Sequence, residues 1–169
     1  MASGAQWRRA NEPAALPGRI ADHASRERST VPIVNASLLL SAFGYWPTFH
    51  DGEVHRALLD RGGSGEPPSV TLVMHAFDTD NTVDEKGYYR VTTSVLVTLR
   101  FDDVRESELR DLGSQNVLSS LDFELDASGL VRVTLGPCYG LSGSLLCGEV
   151  TVISVVPWPS PTEGAPPVA

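Results

Sequence analysis

From residue 88 the chain reads YYRVTTSVLVTLRF, with Val91, Thr93, Val95, Val97, Leu99 and Phe101 at every second position. A period of two places these side chains on one face of a pleated strand, and no helix shows such a repeat. This run is the strongest strand signal in the chain, and the other segments arrange themselves around it. Residues 53–60 alternate in the same way, with Val54, Arg56, Leu58 and Asp60 against Glu53, His55, Ala57 and Leu59. After the turn-rich RGGSGEPP (61–68), Val70, Leu72, Met74 and Ala76 alternate with Thr71, Val73, His75 and Phe77, so a hairpin is expected.

Polar DTDNTVDEKG (78–87) is expected to be a loop before the long strand. Residues 106–112 suggest a helical turn. Residues 118–125 and 130–135 flank DASG, a hairpin signal, and 145–156 closes the domain as one strand. A short helix is expected over 36–43, with Asn35 as its N-cap and Gly44 as its stop. Numerous strands with short connections and one short helix predict an α+β, mostly β domain. It is an antiparallel sheet of about six strands with the N-terminal helix packed on it.

The 169 residues, 41% hydrophobic, suit one domain over 31–156. Residues 1–30 lack periodicity and 157–169 hold five prolines, so both ends are expected to be mobile. No apolar stretch approaches the roughly 20 residues of a membrane span, and the arginines near the N-terminus precede no apolar signal-peptide core. A soluble, cytoplasmic protein is expected. Cys138 and Cys147 have no metal-binding or CxxC spacing and are expected as buried free thiols, with a hairpin-borne disulfide as the alternative.

The net charge of -8 is unevenly spread. Residues 1–30 carry +2, five arginines against Glu12, Asp22 and Glu27, and the tail carries -1 at Glu163, which leaves -9 for residues 31–156. Such a surface disfavours nucleic acid and favours a basic partner, although acidic surfaces also serve solubility alone.

FGYWPTFHDGEV (43–54) concentrates aromatic and ionisable residues in an otherwise aromatic-poor chain. One reading is structural: Phe43, Gly44, Tyr45, Trp46, Pro47, Phe49 and His50 form a corner that locks the helix onto the first strand. Another is a metal-dependent enzyme. If opposed residue numbers on the first two strands sum to about 130, His55 faces His75 and Glu53 faces Phe77. His50, Asp51, Glu53, His55 and His75 then become candidate ligands. A third reading is a non-catalytic structural domain. Asp78, Asp80 and Asp84 lack the glycine and glutamate of a calcium loop, and neither a phosphate loop nor a nucleophile elbow is present. No cofactor and no metal are expected.

The run NASLLLSAFGYWPTFHDGEVHRALLDR (35–61), followed by PSVTLVMHAFD, LRFDDV and SQNVLSSLDF, resembles the bacterial immunity protein 50 family. That family's helix ends in FGYWPSFHDAEV, so Thr48 stands where serine is common and Gly52 where alanine is common. The resemblance covers about residues 32–156. It implies a non-enzymatic protein of a polymorphic toxin system that neutralises a cognate toxin, possibly a nuclease, by steric and electrostatic blockade. The partner expected is a basic toxin domain, with no nucleic acid and no membrane. Asp51, Glu53, Asp78, Asp80, Asp84 and Glu85 are the candidate contacts, being acidic and placed near strand ends or in the expected long loop.

Overall fold

The computed structural model describes residues 31–158, so the expected mobility of residues 1–30 and 159–169 lies outside the described residues. These described residues form one helix, α1 (Ser37–Phe43), and eight strands. These are β1 (Glu53–Asp60), β2 (Ser69–Val83), β3 (Tyr89–Asp102), β4 (Glu106–Arg110), β5 (Val117–Leu125), β6 (Val131–Tyr139), β7 (Ser142–Cys147) and β8 (Glu149–Pro157). They pair antiparallel in the order β4-β7-β6-β5-β1-β2-β3-β8. A single parallel bridge from Val34 to Thr151 adds a ninth, one-residue segment.

The mostly β architecture is as expected, but about six strands was too few. The expected helical turn at 106–112 is instead strand β4, whose five residues are too few for periodicity to separate the two states. The expected single closing strand is two, broken at Gly148, whose N–H donates to the carbonyls of Asp102 and Asp103. DTDNTVDEKG is not a loop either: β2 continues to Val83 and the chain reverses only over residues 84–88.

The strands form two halves, β1-β2-β3-β8 and β5-β6-β7-β4, joined where β1 meets β5 through the single pair Glu53 and Val117. Both halves bury one face in a common core. Leu72, Met74, Val97, Leu99 and Phe101 come from one half, and Leu118, Val133, Leu135 and Leu145 from the other. The alternations read from β2 and from the centre of β3 hold here. Each such side chain contributes about 1.5–3 kcal/mol by leaving water. Leu39 of α1 joins the same core.

Asn35 is not the helix cap. Ala36 occupies that position without a capping side chain, while Asn35 adopts a left-handed φ of 58° and its amide donates to the Val152 carbonyl, tying the helix start to β8. Gly44 stops the helix as expected, with φ 77° and its N–H donating to Leu40 O at 2.8 Å. Among the described residues no helix is long and apolar enough to cross a membrane.

The register of β1 against β2 also differs from the expected one. Glu53 lies opposite His75 and Val54 opposite Met74, after which a bulge at His55 places Arg56 opposite Val73. The bulge exchanges the faces of the strand, so Val54 and then Ala57 turn to the core while Arg56 and Leu58 turn outward. Simple alternation in the sequence carries no sign of that extra residue.

Candidate functional site

The aromatic motif is a seam between the two half-sheets. Asp51 N–H donates to Leu118 O and Leu118 N–H to Gly52 O, both at 2.9 Å. Leu121 N–H donates to Thr48 O at 3.2 Å, and Val54 N–H to Asn116 O at 2.8 Å. Residues 48–54 therefore carry the hydrogen bonds that attach β5 to β1. Phe49 and Asp51 both hold a φ of 59°, and Gly52 N–H closes the tight turn onto Phe49 O at 3.0 Å. At Gly52 a Cβ would lie 2.9 Å from Phe49 O and 3.3 Å from His75 O, so glycine suits this close backbone crossing. Pro47 and Phe49 are buried, and Trp46 stands edge-on to Phe49 (6.1 Å) and to Phe123 of β5 (5.7 Å). Phe43 packs on Tyr45 at 6.3 Å. The corner thus locks β5 as well as the helix end.

Beyond the seam, β2 and β3 continue as a hairpin arm. Tyr45 OH donates to Asp78 Oδ2, fixing the base of the arm to the motif, and Asp78 Oδ1 accepts the N–H of Thr79. Asp80 accepts the N–H and hydroxyl of Thr82, which hold its carboxyl below the usual range, and it faces Arg90 at 3.4 Å. At the tip, Asp84 Oδ1 accepts the N–H groups of Lys86 and Tyr88, both at 2.9 Å. Three of the four acids expected to await a partner on this segment are therefore engaged within the chain. Among the described residues Glu85 alone of the four makes no hydrogen bond or ion pair.

The arm also presents residues the sequence reading missed. Tyr88 is 70% exposed, Tyr89 63% and Val83 61%, and Val91 is exposed beside them. Val83 pairs directly across from Tyr89, and Val91, two positions on, shares that face. The signal was the tyrosine pair next to a turn. Alternation placed Val91 on the face of Thr93 to Phe101, but a register shift at Thr92 sets Thr93 opposite Asp78 and Val91 opposite Thr79, so Val91 leaves that face.

Of the other candidates, Asp51 is exposed and paired with His50, Nδ1 to Oδ2 3.1 Å. Glu53 is half-buried beside His75. His55 and His75 do share a surface, with the Trp158 ring against both at 5.3 and 5.9 Å. His75 also stacks on Phe77 at 5.6 Å and shares a 2.9 Å hydrogen bond with Ser94 Oγ. Burial and then the neighbouring His55 lower the pKa of His75, and Glu53 opposes them. Trp158 is held by its N–H to Ser94 O, so the ordered domain extends past 156, where the tail was expected to begin.

His50 stands apart from this cluster, on the turn with Asp51. Among the described residues no three or more His, Cys, Asp or Glu side chains are grouped to hold a metal. The five residues of the metal reading are thus not brought together. Both cysteines are free, and Cys147 is buried, its thiol pushed up to about 11. Cys138 is exposed, contrary to expectation. Cys147 lies opposite Val131, seven positions along β6 from Cys138, so the hairpin does not bring the two sulfurs together.

No curated protein and no solved structure matches the chain. The family described as Immunity protein 50 matches residues 35–157, which takes in the helix, the seam, the arm and all eight strands. The chain belongs to the Immunity protein 50 family.

Proposed function

We propose that this protein neutralises a cognate toxin by binding it, and that the β2–β3 arm makes the central contact. The observation that carries this reading is the tip of the arm. Tyr88, Tyr89, Val83 and Val91 lie exposed on a two-stranded projection whose turn is held rigid by the Asp84 carboxylate. Exposed tyrosines on a preorganised element are the composition that binding hot spots favour, because they bring large contact area at low entropic cost.

Charge supplies the approach. The -9 of residues 31–156 steers the protein toward a basic partner such as a nuclease cleft, and Glu85 at the tip leads the acidic surface. Engagement of Asp78, Asp80 and Asp84 within the chain shifts the weight of the contact from electrostatics to the aromatic ridge. Blockade of a cytoplasmic toxin in this way requires no catalytic residue, in keeping with the family's role.

Co-expression with the toxin domain encoded beside this gene tests the reading. Cells survive and the two chains co-purify in equal amounts if inhibition is by binding. Survival without a complex would instead point to enzymatic rescue and overturn it.

A further inference from the structure

β1 has an open edge. Val54 is the last of its residues bonded toward β5, its N–H donating to Asn116 O and its carbonyl accepting from Asn116 Nδ2, and beyond it no hydrogen bond from β1 to that side is found among the described residues. The pattern of open groups follows from the register. Gly52 and Val54 direct their backbone groups to β5, so Glu53 faces β2, and so does its partner His75 toward β1. Alternation along β2 gives Val73, Thr71 and Ser69 the same direction as His75. Their partners Arg56, Leu58 and Asp60 therefore bond to β2, which leaves Ala57 and Leu59 with backbone N–H and C=O groups directed into solvent. The edge is also apolar, since Leu58 is 55% exposed and Leu59 60%. A strand of this kind is a template for another strand.

We infer that the β1 edge pairs with the β1 edge of a second copy of this chain, antiparallel about a two-fold axis through Leu58. The sequence of the edge is self-complementary in that register. Ala57 of each copy meets Leu59 of the other as a hydrogen-bonded pair that uses the four open backbone groups. Leu58 meets Leu58 in a non-hydrogen-bonded pair, where side chains approach most closely. Arg56 meets Asp60 twice, once on each side of the axis, and neither side chain is engaged in an ion pair within its own chain. A two-fold contact demands this property, because each surface must be its own complement. The pairing would join two four-stranded halves into one continuous sheet and leave both arms free, so it stands independently of the toxin reading.

Sedimentation velocity on the full chain over a wide concentration range tests the inference. The protein forms a concentration-dependent dimer. Arg56→Asp or Asp60→Arg, each of which creates two like-charge pairs by symmetry, weakens self-association roughly tenfold or more, and the double exchange restores it. Leu58→Lys yields a monomer with an unchanged melting temperature, because the side chain is exposed in the single chain. A monomer at every concentration, or a dimer indifferent to all of these substitutions, would overturn the inference. A monomeric protein in which Leu58→Lys weakens toxin binding would assign the edge to the toxin instead, and would overturn self-pairing equally.

Discussion

The β2–β3 and β5–β6 hairpins turn on the same device and end in different places. At each tip an aspartate, Asp84 or Asp126, donates its N–H to the carbonyl four residues on, Tyr88 O at 2.8 Å or Leu130 O at 2.9 Å. A glycine in left-handed conformation follows, Gly87 at φ 85° or Gly129 at 82°, and its N–H returns to the aspartate carbonyl. Each carboxylate also accepts two backbone amides. Behind the Asp126 turn lie Val131, buried, and Phe123, pressed against Trp46 of the seam. Behind the Asp84 turn lie Val83, Tyr89 and Val91 in solvent. Turn chemistry decides where a strand reverses, and packing decides whether the hairpin belongs to the core or reaches outward. The second hairpin packs into the core and against the seam, and the first stands clear of both.

The contrast breaks most readily at the seam. Trp46→Ala and Phe123→Ala, both at partly buried contacts, should each cost about 2–4 kcal/mol in chemical denaturation, whereas Tyr89→Ala should stay within about 0.5 kcal/mol. The double variant should cost less than the sum, since each single change removes the same ring contact. Equal losses at Trp46 and Tyr89 would erase the distinction between the hairpins.

A smaller effect sharpens it. Gly87→Ala and Gly129→Ala meet open space and pay only the left-handed backbone penalty of about 1 kcal/mol. At Gly129 the cost should appear in global unfolding. At Gly87 it should appear mainly as faster amide exchange over residues 79–91, because the arm can open without the core.

Two pH effects are smaller still. Since the folded pKa of His75 is lowered below 6.5, the unfolded chain takes up the proton first as pH falls. Stability should therefore decline from about pH 6.5 downward until the folded imidazole also protonates, and His75→Gln should flatten that slope. Asp126 has its carboxyl held below 3.8, chiefly by Ser128. Its contribution is present above that pH and fades as pH falls through the folded pKa. Asp126→Asn should then be less stable than the parent at neutral pH and approach it in strong acid, as thermal melts at the two pH values would show.

The β character, the core faces of β2 and central β3 and the helix stop at Gly44 were legible in the sequence, because apolar periodicity and a C-terminal glycine report local burial directly. The β1 register was not, since the bulge at His55 adds a residue without altering composition. β4 escaped notice because five residues carry too little pattern. The acids of 78–85 were legible as charges, but not their engagement, which depends on Tyr45 from the distant motif and on the turn geometry of Asp84. The motif at 43–54 was legible as an aromatic concentration, but β5, to which it bonds, lies more than sixty residues away and only the fold reveals it.

The most direct test of the account is the affinity of the purified toxin domain for the parent chain and for the Tyr88→Ala/Tyr89→Ala variant, measured side by side at physiological salt. The account predicts that the variant keeps its melting temperature and binds about a hundredfold or more weakly. Unchanged affinity in a folded variant would contradict it and move the contact away from the arm.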